Sequence, residues 1–185
     1  MNIIETDIPG VLLLEPKVFG DARGYFFESW NQTVFEAAGI TNTWMQDNES
    51  KSCFGVLRGL HYQAAPYTQA KIVRAVSGSV LDVVVDIRKG SPTYGKHVSV
   101  ELFAENKRML YIPRGFAHGF AVLSDEAVFV YKCDNIYMKS SERGIMFNDP
   151  DLAIDWRLAP GQILLSEKDK THPAFADITP WEESQ

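Results

Sequence analysis

Three side chains with complementary chemistry lie close together between Gly55 and Arg74: Arg58, His61 and Lys71. Arg58 and His61 stand in Gly-Val-Leu-Arg-Gly-Leu-His-Tyr-Gln, and Lys71 opens the next apolar run, Lys-Ile-Val-Arg. Arginine is a permanent cation suited to a phosphate, and lysine is a compact point charge. Histidine is the side chain best placed to move a proton near neutral pH. An anion anchor, a base and an electrophile in one stretch point to proton chemistry on a phosphorylated ligand. Asp82, His118 and Tyr131 are further polar groups inside apolar strand patterns. Each alone has a bland explanation: a satisfied core histidine, an Asp82–His118 pair, an aromatic core tyrosine. Together they are a costly set to bury without a use. Tyr131 suits a general acid, because a phenol titrates near about 10 and a nearby cation makes it more acidic. Asp169, in Ser166-Glu-Lys-Asp, is a solvated loop charge unless it reaches His61, where it would orient the imidazole.

Strand periodicity sets a condition on this grouping. Arg58 and His61 have opposite parity, so a regular strand puts them on opposite faces. Gly59 lies between them and can host a bulge that re-aims the chain. Metal chemistry fits poorly, since a site needs three or four ligands. Around His61 the same-face neighbour is Gln63, and the next polar positions are Gln69 and Lys71, a cation that repels a metal ion.

The elements that must hold these residues are short strands. Val11–Leu14 follows an Ile8-Pro9-Gly10 turn. Phe19–Gly24 reads as a loop leading to an aromatic strand, Tyr25–Glu28. One helix is expected, with Asn31 as N-cap, Val34, Phe35 and Ala38 on one face and Gly39 as the stop. Trp44–Glu49 is extended. Val80–Arg88 alternates Leu81, Val83, Val85 and Ile87 against Val80, Asp82, Val84 and Asp86. His97–Leu102, Met109–Ile112, His118–Leu123 and Ala127–Cys133 follow, and the proline-punctuated last quarter is looser. So many short strands at this spacing predict an all-β jelly-roll sandwich or barrel with one or a few short helices.

Length and composition agree with that reading. The 185 residues fit one domain, residues 1–185, and 45% hydrophobic with 23% charged residues is a soluble globular composition. A net charge of -6 disfavours nucleic acid, whose backbone wants a basic face. No run approaches the roughly 20 apolar residues of a membrane span, and the acidic start, Glu5 and Asp7, is unlike a signal peptide. Two cysteines, Cys53 and Cys133, cannot build a disulfide framework. A cytoplasmic location is expected.

The motifs closely resemble the dTDP-4-dehydrorhamnose 3,5-epimerase family. The resemblance rests on Gly55–Gln63, Lys71, Pro113-x-Gly-x-x-His118-Gly-Phe, Tyr131 and Ser166–Asp169, with Phe19-Gly-Asp-x-Arg23-Gly-x-Phe-x-Glu28 and Gln46-Asp-Asn48. It runs from about Gly10 to Asp169. It implies a cupin-type jelly roll, a homodimer and a site with neither metal nor other cofactor. His61 takes the role of base assisted by Asp169, Tyr131 that of acid on the opposite sugar face, and Lys71 that of enolate stabiliser. Arg23, Glu28, Gln46, Asp47, Asn48, Arg58, Lys71, His118, Glu142 and Lys168 become contacts to a dTDP-4-keto-6-deoxy sugar, with Tyr137 stacked on the thymine and Asp82 behind His118. The Phe19–Glu28 loop reaches the partner's site.

Three rivals are left open. A related dTDP-4-keto-sugar 3- or 5-epimerase or 3,4-ketoisomerase would differ by small pocket changes. A non-catalytic nucleotide-sugar-binding cupin would wash no solvent deuterium into C3 and C5. A metal-dependent cupin isomerase or dioxygenase would carry stoichiometric metal.

Overall fold

Thirteen short strands carry most of the regular structure in this computed structural model, which describes residues 1–182. They are β1 (Asn2–Glu5), β2 (Leu12–Glu15), β3 (Phe19–Asp21), β4 (Gly24–Phe26), β5 (Gln46–Cys53), β6 (Leu57–Gln63) and β7 (Lys71–Ser77). After them come β8 (Ser79–Asp86), β9 (His97–Phe103), β10 (Met109–Ile112), β11 (Phe116–Val122), β12 (Glu126–Cys133) and β13 (Glu142–Gly144). One sheet runs β1-β2-β10-β7-β12-β5 and the other β13-β6-β11-β8-β9, with every pairing antiparallel. The expected jelly-roll sandwich is therefore present.

Side-chain alternation explains the layering. Along β8, Val80 and Val84 face the other sheet, while Leu81, Val83 and Val85 face outward into a second apolar layer. That second layer is built by the C-terminal quarter, where Ile163, Leu165, Phe175, Ile178 and Trp181 lie over the five-stranded sheet. Both faces of β8 are thus buried, and an alternating apolar pattern on both parities requires it. The inward face of β8 carries Asp82, that of β11 carries His118 between Phe116 and Phe120, and that of β12 carries Tyr131 beyond Phe129. Helix α1 (Gln32–Ala37) forms where expected. The Asn31 side chain accepts the Val34 N–H at 3.3 Å, and Phe35 is buried against Leu14, Ile72 and Met109 on the back of the six-stranded sheet.

Some boundaries differ from the sequence reading. Phe19–Gly24 is not a plain loop: β3 and β4 form a separate hairpin around Ala22-Arg23, and the aromatic strand stops at Phe26. His118 lies in the interior of β11 rather than at its start. The stretch Gly55–Arg74 holds two strands joined by a loop, and they lie in different sheets. β6 enters the five-stranded sheet and β7 the six-stranded one, so the loop between them crosses from layer to layer.

The parity conflict at β6 is resolved by a bulge. His118 pairs with His61 and Phe120 with Arg58, so three steps on β6 oppose two on β11. Leu57 and Leu60 both turn outward into the C-terminal layer, and Arg58 and His61 both line the space between the sheets. Gly59 has φ +134, and a Cβ there would lie 2.5 Å from the Gly119 Cα and 3.0 Å from the His118 carbonyl oxygen. Only glycine fits such an approach of two backbones. Gly59→Ala is expected to cost about 2–4 kcal/mol in denaturant unfolding, and an unchanged midpoint would show that the bulge tolerates a side chain.

Candidate active site

The sheets part at one end to leave a cavity of about 710 Å³. The five-stranded sheet contributes Arg58, His61, His118 and Phe120, and the six-stranded sheet Lys71, Phe129 and Tyr131, with Ser50 from its edge. A smaller cavity of about 320 Å³ opens on the far side, lined by Gln46, Asn48, Gln63, Tyr137 and Glu142 among others. His61, Lys71 and Tyr131 border both. The imidazole and the phenol therefore border the same two cavities from opposing sheets, and the lysine stands beside the phenol. Cys133 pairs with Lys71 and Tyr131 with Val73 across β12 and β7, which fixes that neighbourhood, and the Lys71 Nζ is 6.0 Å from the Tyr131 ring centroid.

His61 is held from behind. Its Nε2 is hydrogen-bonded to Asp169 Oδ1. Asp169 opens a short 3-10 turn, Asp169–Thr171, that sequence position alone does not place near His61. Ser166 fixes it twice: its Oγ donates to Asp169 Oδ2 at 2.8 Å and accepts the Asp169 N–H at 3.2 Å. The carboxylate is only 3% exposed, so the solvated-loop alternative does not hold. Burial pushes its pKa up, but the His61 hydrogen bond and charge, with Ser166, hold it below the ordinary carboxylate value. A depressed folded-state pKa gives stability that is present above the unfolded value, near about 4, and is lost as pH falls through the lower folded value. The stability gap between the native protein and Asp169→Asn should therefore be widest near neutrality and close below about pH 4. Parallel acid-unfolding curves would contradict this.

Tyr131 departs from the sequence reading in one respect. Its pKa is raised rather than lowered, chiefly by burial and also by Cys133, with Arg58 opposing only in part. Removing water costs the phenolate more than one guanidinium returns. The phenol keeps its proton at neutral pH, as an acid must. Burial also lowers the Lys71 pKa, against the favourable charges of Cys133, Asp82 and Glu142.

His118 and Asp82 form the expected buried pair, Nε2 to Oδ2 at 2.9 Å. Asp82 Oδ1 has no hydrogen-bond partner among the described residues. The Arg58 guanidinium donates to Ser52 Oγ at 3.0 and 3.2 Å and remains exposed toward the cavity. On β5, Gln46 and Asn48 face the smaller cavity, and the Gln46 side-chain N–H donates to Asn48 Oδ1 at 2.7 Å. Asp47 has the opposite parity and turns away to accept from Lys132 at 2.8 Å. Tyr137 O–H donates to Glu142 Oε2 at 3.0 Å, and Lys168 Nζ to Glu142 Oε1 at 2.5 Å, so these three form a polar chain beside His61. Burial raises the Glu142 pKa, but Lys168 and Tyr137 outweigh it and hold the carboxyl below its ordinary value. Arg23 and Glu28 do not join the group within one chain. Arg23 is 90% exposed and paired with Asp21 in the β3–β4 hairpin, and Glu28 accepts from Asn31 at 3.0 Å.

Sequence reasoning gave no role to Ser50, Ser166 or His172. Ser50 shares the parity of Gln46 and Asn48, a signal that could have found it. One potential ligand atom from each of His61, Asp169 and His172 lies within 4.8 Å of the other two. Two ligands of one tetrahedral zinc ion, with bonds of about 2.0 Å, sit more than 3 Å apart. The His61–Asp169 contact is a direct hydrogen bond, so the trio is a hydrogen-bonded dyad flanked by a second imidazole.

The chain is similar to known proteins over nearly its whole length. Residues 5–177 match the family described as dTDP-4-dehydrorhamnose 3,5-epimerase. The chain is 60% identical over 178 residues to a dTDP-4-dehydrorhamnose 3,5-epimerase of Shigella flexneri, covering 96% of this chain and 97% of that one. It is 56% identical, with the same coverage, to one of Pseudomonas aeruginosa. It superimposes on the crystal structure of a dTDP-6-deoxy-D-glucose-3,5-epimerase from Legionella pneumophila in complex with dTDP-4-keto-L-rhamnose. That match has a TM-score of 0.93 at 51% identity, covering 96% of this chain and 94% of the other.

Proposed function

Because this chain belongs to the dTDP-4-dehydrorhamnose 3,5-epimerase family, we infer that it inverts C3 and C5 of dTDP-4-dehydro-6-deoxy-D-glucose to give dTDP-4-dehydro-L-rhamnose. It is an isomerase of nucleotide-sugar metabolism. The observation that carries the residue assignment is the boundary of the two cavities, which His61 and Tyr131 line from opposite sheets beside Lys71.

The chemistry follows from the substrate. C3 and C5 both flank the C4 ketone, so loss of either proton delocalises charge onto one oxygen. His61 is the base. Its Nε2 is bonded to Asp169, which leaves the other ring nitrogen to accept the carbon-bound proton, and the resulting imidazolium is stabilised by Asp169. Lys71 supplies positive charge to the enolate oxygen as it develops, an effect worth about 3–4 kcal/mol in comparable sites. Tyr131 returns a proton to the opposite face, which inverts the centre. His61 then releases its proton to solvent and Tyr131 regains one. The exposed Arg58 and Lys168 attract the diphosphate. The polar wall of Gln46, Asn48, Tyr137 and Glu142 holds the remainder of the ligand away from the reacting carbons.

The substrate is a nucleotide sugar, and no helix among the described residues is long and apolar enough to cross a membrane. A cytoplasmic location is supported by two free thiols, Cys53 and Cys133. The working form is a homodimer. Phe19, Tyr25 and Phe26 on the β3–β4 hairpin are more than half exposed, a cluster that favours cover by a second copy. Such docking brings Arg23 and Glu28 toward the partner's cavity.

The test is NMR of dTDP-4-keto-6-deoxyglucose with the protein in deuterated water. Deuterium at both C3 and C5 with the L-rhamno configuration is expected. Label at one carbon only would turn the assignment to a mono-epimerase, and label at neither would remove the catalytic reading.

A further inference from the structure

The mechanism above leaves one buried imidazole unused. His172 is one-tenth exposed at its side chain, and its Nε2 lies 3.3 Å from Asp169 Oδ1, the oxygen that holds His61. That nitrogen has no well-aligned hydrogen-bond partner among the described residues, so the shared carboxylate oxygen is the charged atom it addresses. The ring is held there by packing. It stands edge-on to His61, with centroids 5.5 Å apart. It also rests on Gly144, where a Cβ would lie 2.5 Å from the ring atoms. Gly144 is the residue that β13 pairs with His61, so one bare backbone position admits the second ring beside the first.

We propose that His172 is a positioning residue that sets the base strength of His61, through the partial positive charge of an Nε2–H placed 3.3 Å from the Asp169 oxygen that His61 shares. A carboxylate oxygen that faces two N–H groups offers less negative charge to each. His172 thereby lowers the stability of the His61 imidazolium and keeps His61 deprotonated further into the acid range. For this His172 must itself stay neutral. Burial favours the neutral form, and a positive His61 reinforces it, whereas Asp169 opposes. The other charged groups around the ring are Lys168 from its own turn and, across the groove outside β6 and β13, Lys139, Glu142, Arg143, Asp177 and Glu182. The inference rests on His61 being the base.

Two substitutions and one spectrum test it. The pH dependence of kcat/KM for deuterium wash-in is measured for the native protein, His172→Phe and His172→Gln. Phenylalanine removes the donor, so the acidic limb should move up by about 0.5 unit or more. Glutamine carries an N–H that reaches the position of Nε2, and its limb should return to within about 0.2 unit of the native one. A Phe limb that coincides with the native one, or a Gln limb that follows Phe, overturns the proposal. Nitrogen NMR of the native protein needs no variant and no turnover. It should show His172 neutral and protonated at Nε2 at pH 7, and an Nδ1–H tautomer would overturn the proposal. If His61→Ala retained exchange, the base assignment would fall, while the tautomer of His172 would still be read independently.

Discussion

His61→Ala should abolish deuterium incorporation at C3 and C5 while dTDP still binds with affinity within about threefold of native. The expected loss is at least the ~10²–10⁴-fold that one positioned acid–base group supplies. It belongs at the upper end, because Tyr131, the group across from the imidazole, is a buried phenol that keeps its proton and cannot serve as the base. Binding should survive because Arg58, Lys168, Gln46 and Asn48 hang from other positions and do not depend on the His61 ring. Isothermal titration with dTDP and NMR exchange on one preparation separate the two effects. Exchange within tenfold of native would make another group the base.

Tyr131→Phe should divide exchange from inversion. The base and the lysine remain, so a proton still leaves carbon and deuterium still enters from the His61 side, at a rate within about tenfold of native. The group that protonates the opposite face is gone, so formation of the L-rhamno product should fall by ~10²-fold or more. The phenol packs against Phe129, with ring centroids 6.3 Å apart, so phenylalanine preserves the aromatic contact and the variant tests only the hydroxyl. Equal losses of exchange and inversion would assign Tyr131 to binding or to enolate stabilisation instead.

Much of this site was legible in the sequence, and the limits were physical. Asp82 and His118 were readable because strand parity puts both among valines and aromatics on an inward face, where a carboxylate needs a partner. The Arg58–His61 grouping was readable only as a condition, since Gly59 offered a bulge without requiring one. The register shift opposite Gly119 supplied what sequence could not. Asp169 was readable only as an alternative to a solvated charge and His172 not at all, because they lie in a segment of short turns with no periodicity. There the family resemblance found Asp169 but not its neighbour. The Tyr131 pKa was misjudged in sign because charge neighbours can be guessed from a motif, whereas the extent of burial cannot. The β3–β4 hairpin was missed because three-residue strands are too short for alternation to register.

The most direct measurement is a crystal structure with a dTDP-6-deoxy sugar that lacks the reactive ketone. A His61 ring nitrogen and the Tyr131 hydroxyl oxygen should each lie within about 3.5 Å of C3 or C5 and on opposite faces of the sugar ring. Both groups on one face, or a phenol turned away from the ring, would contradict the account.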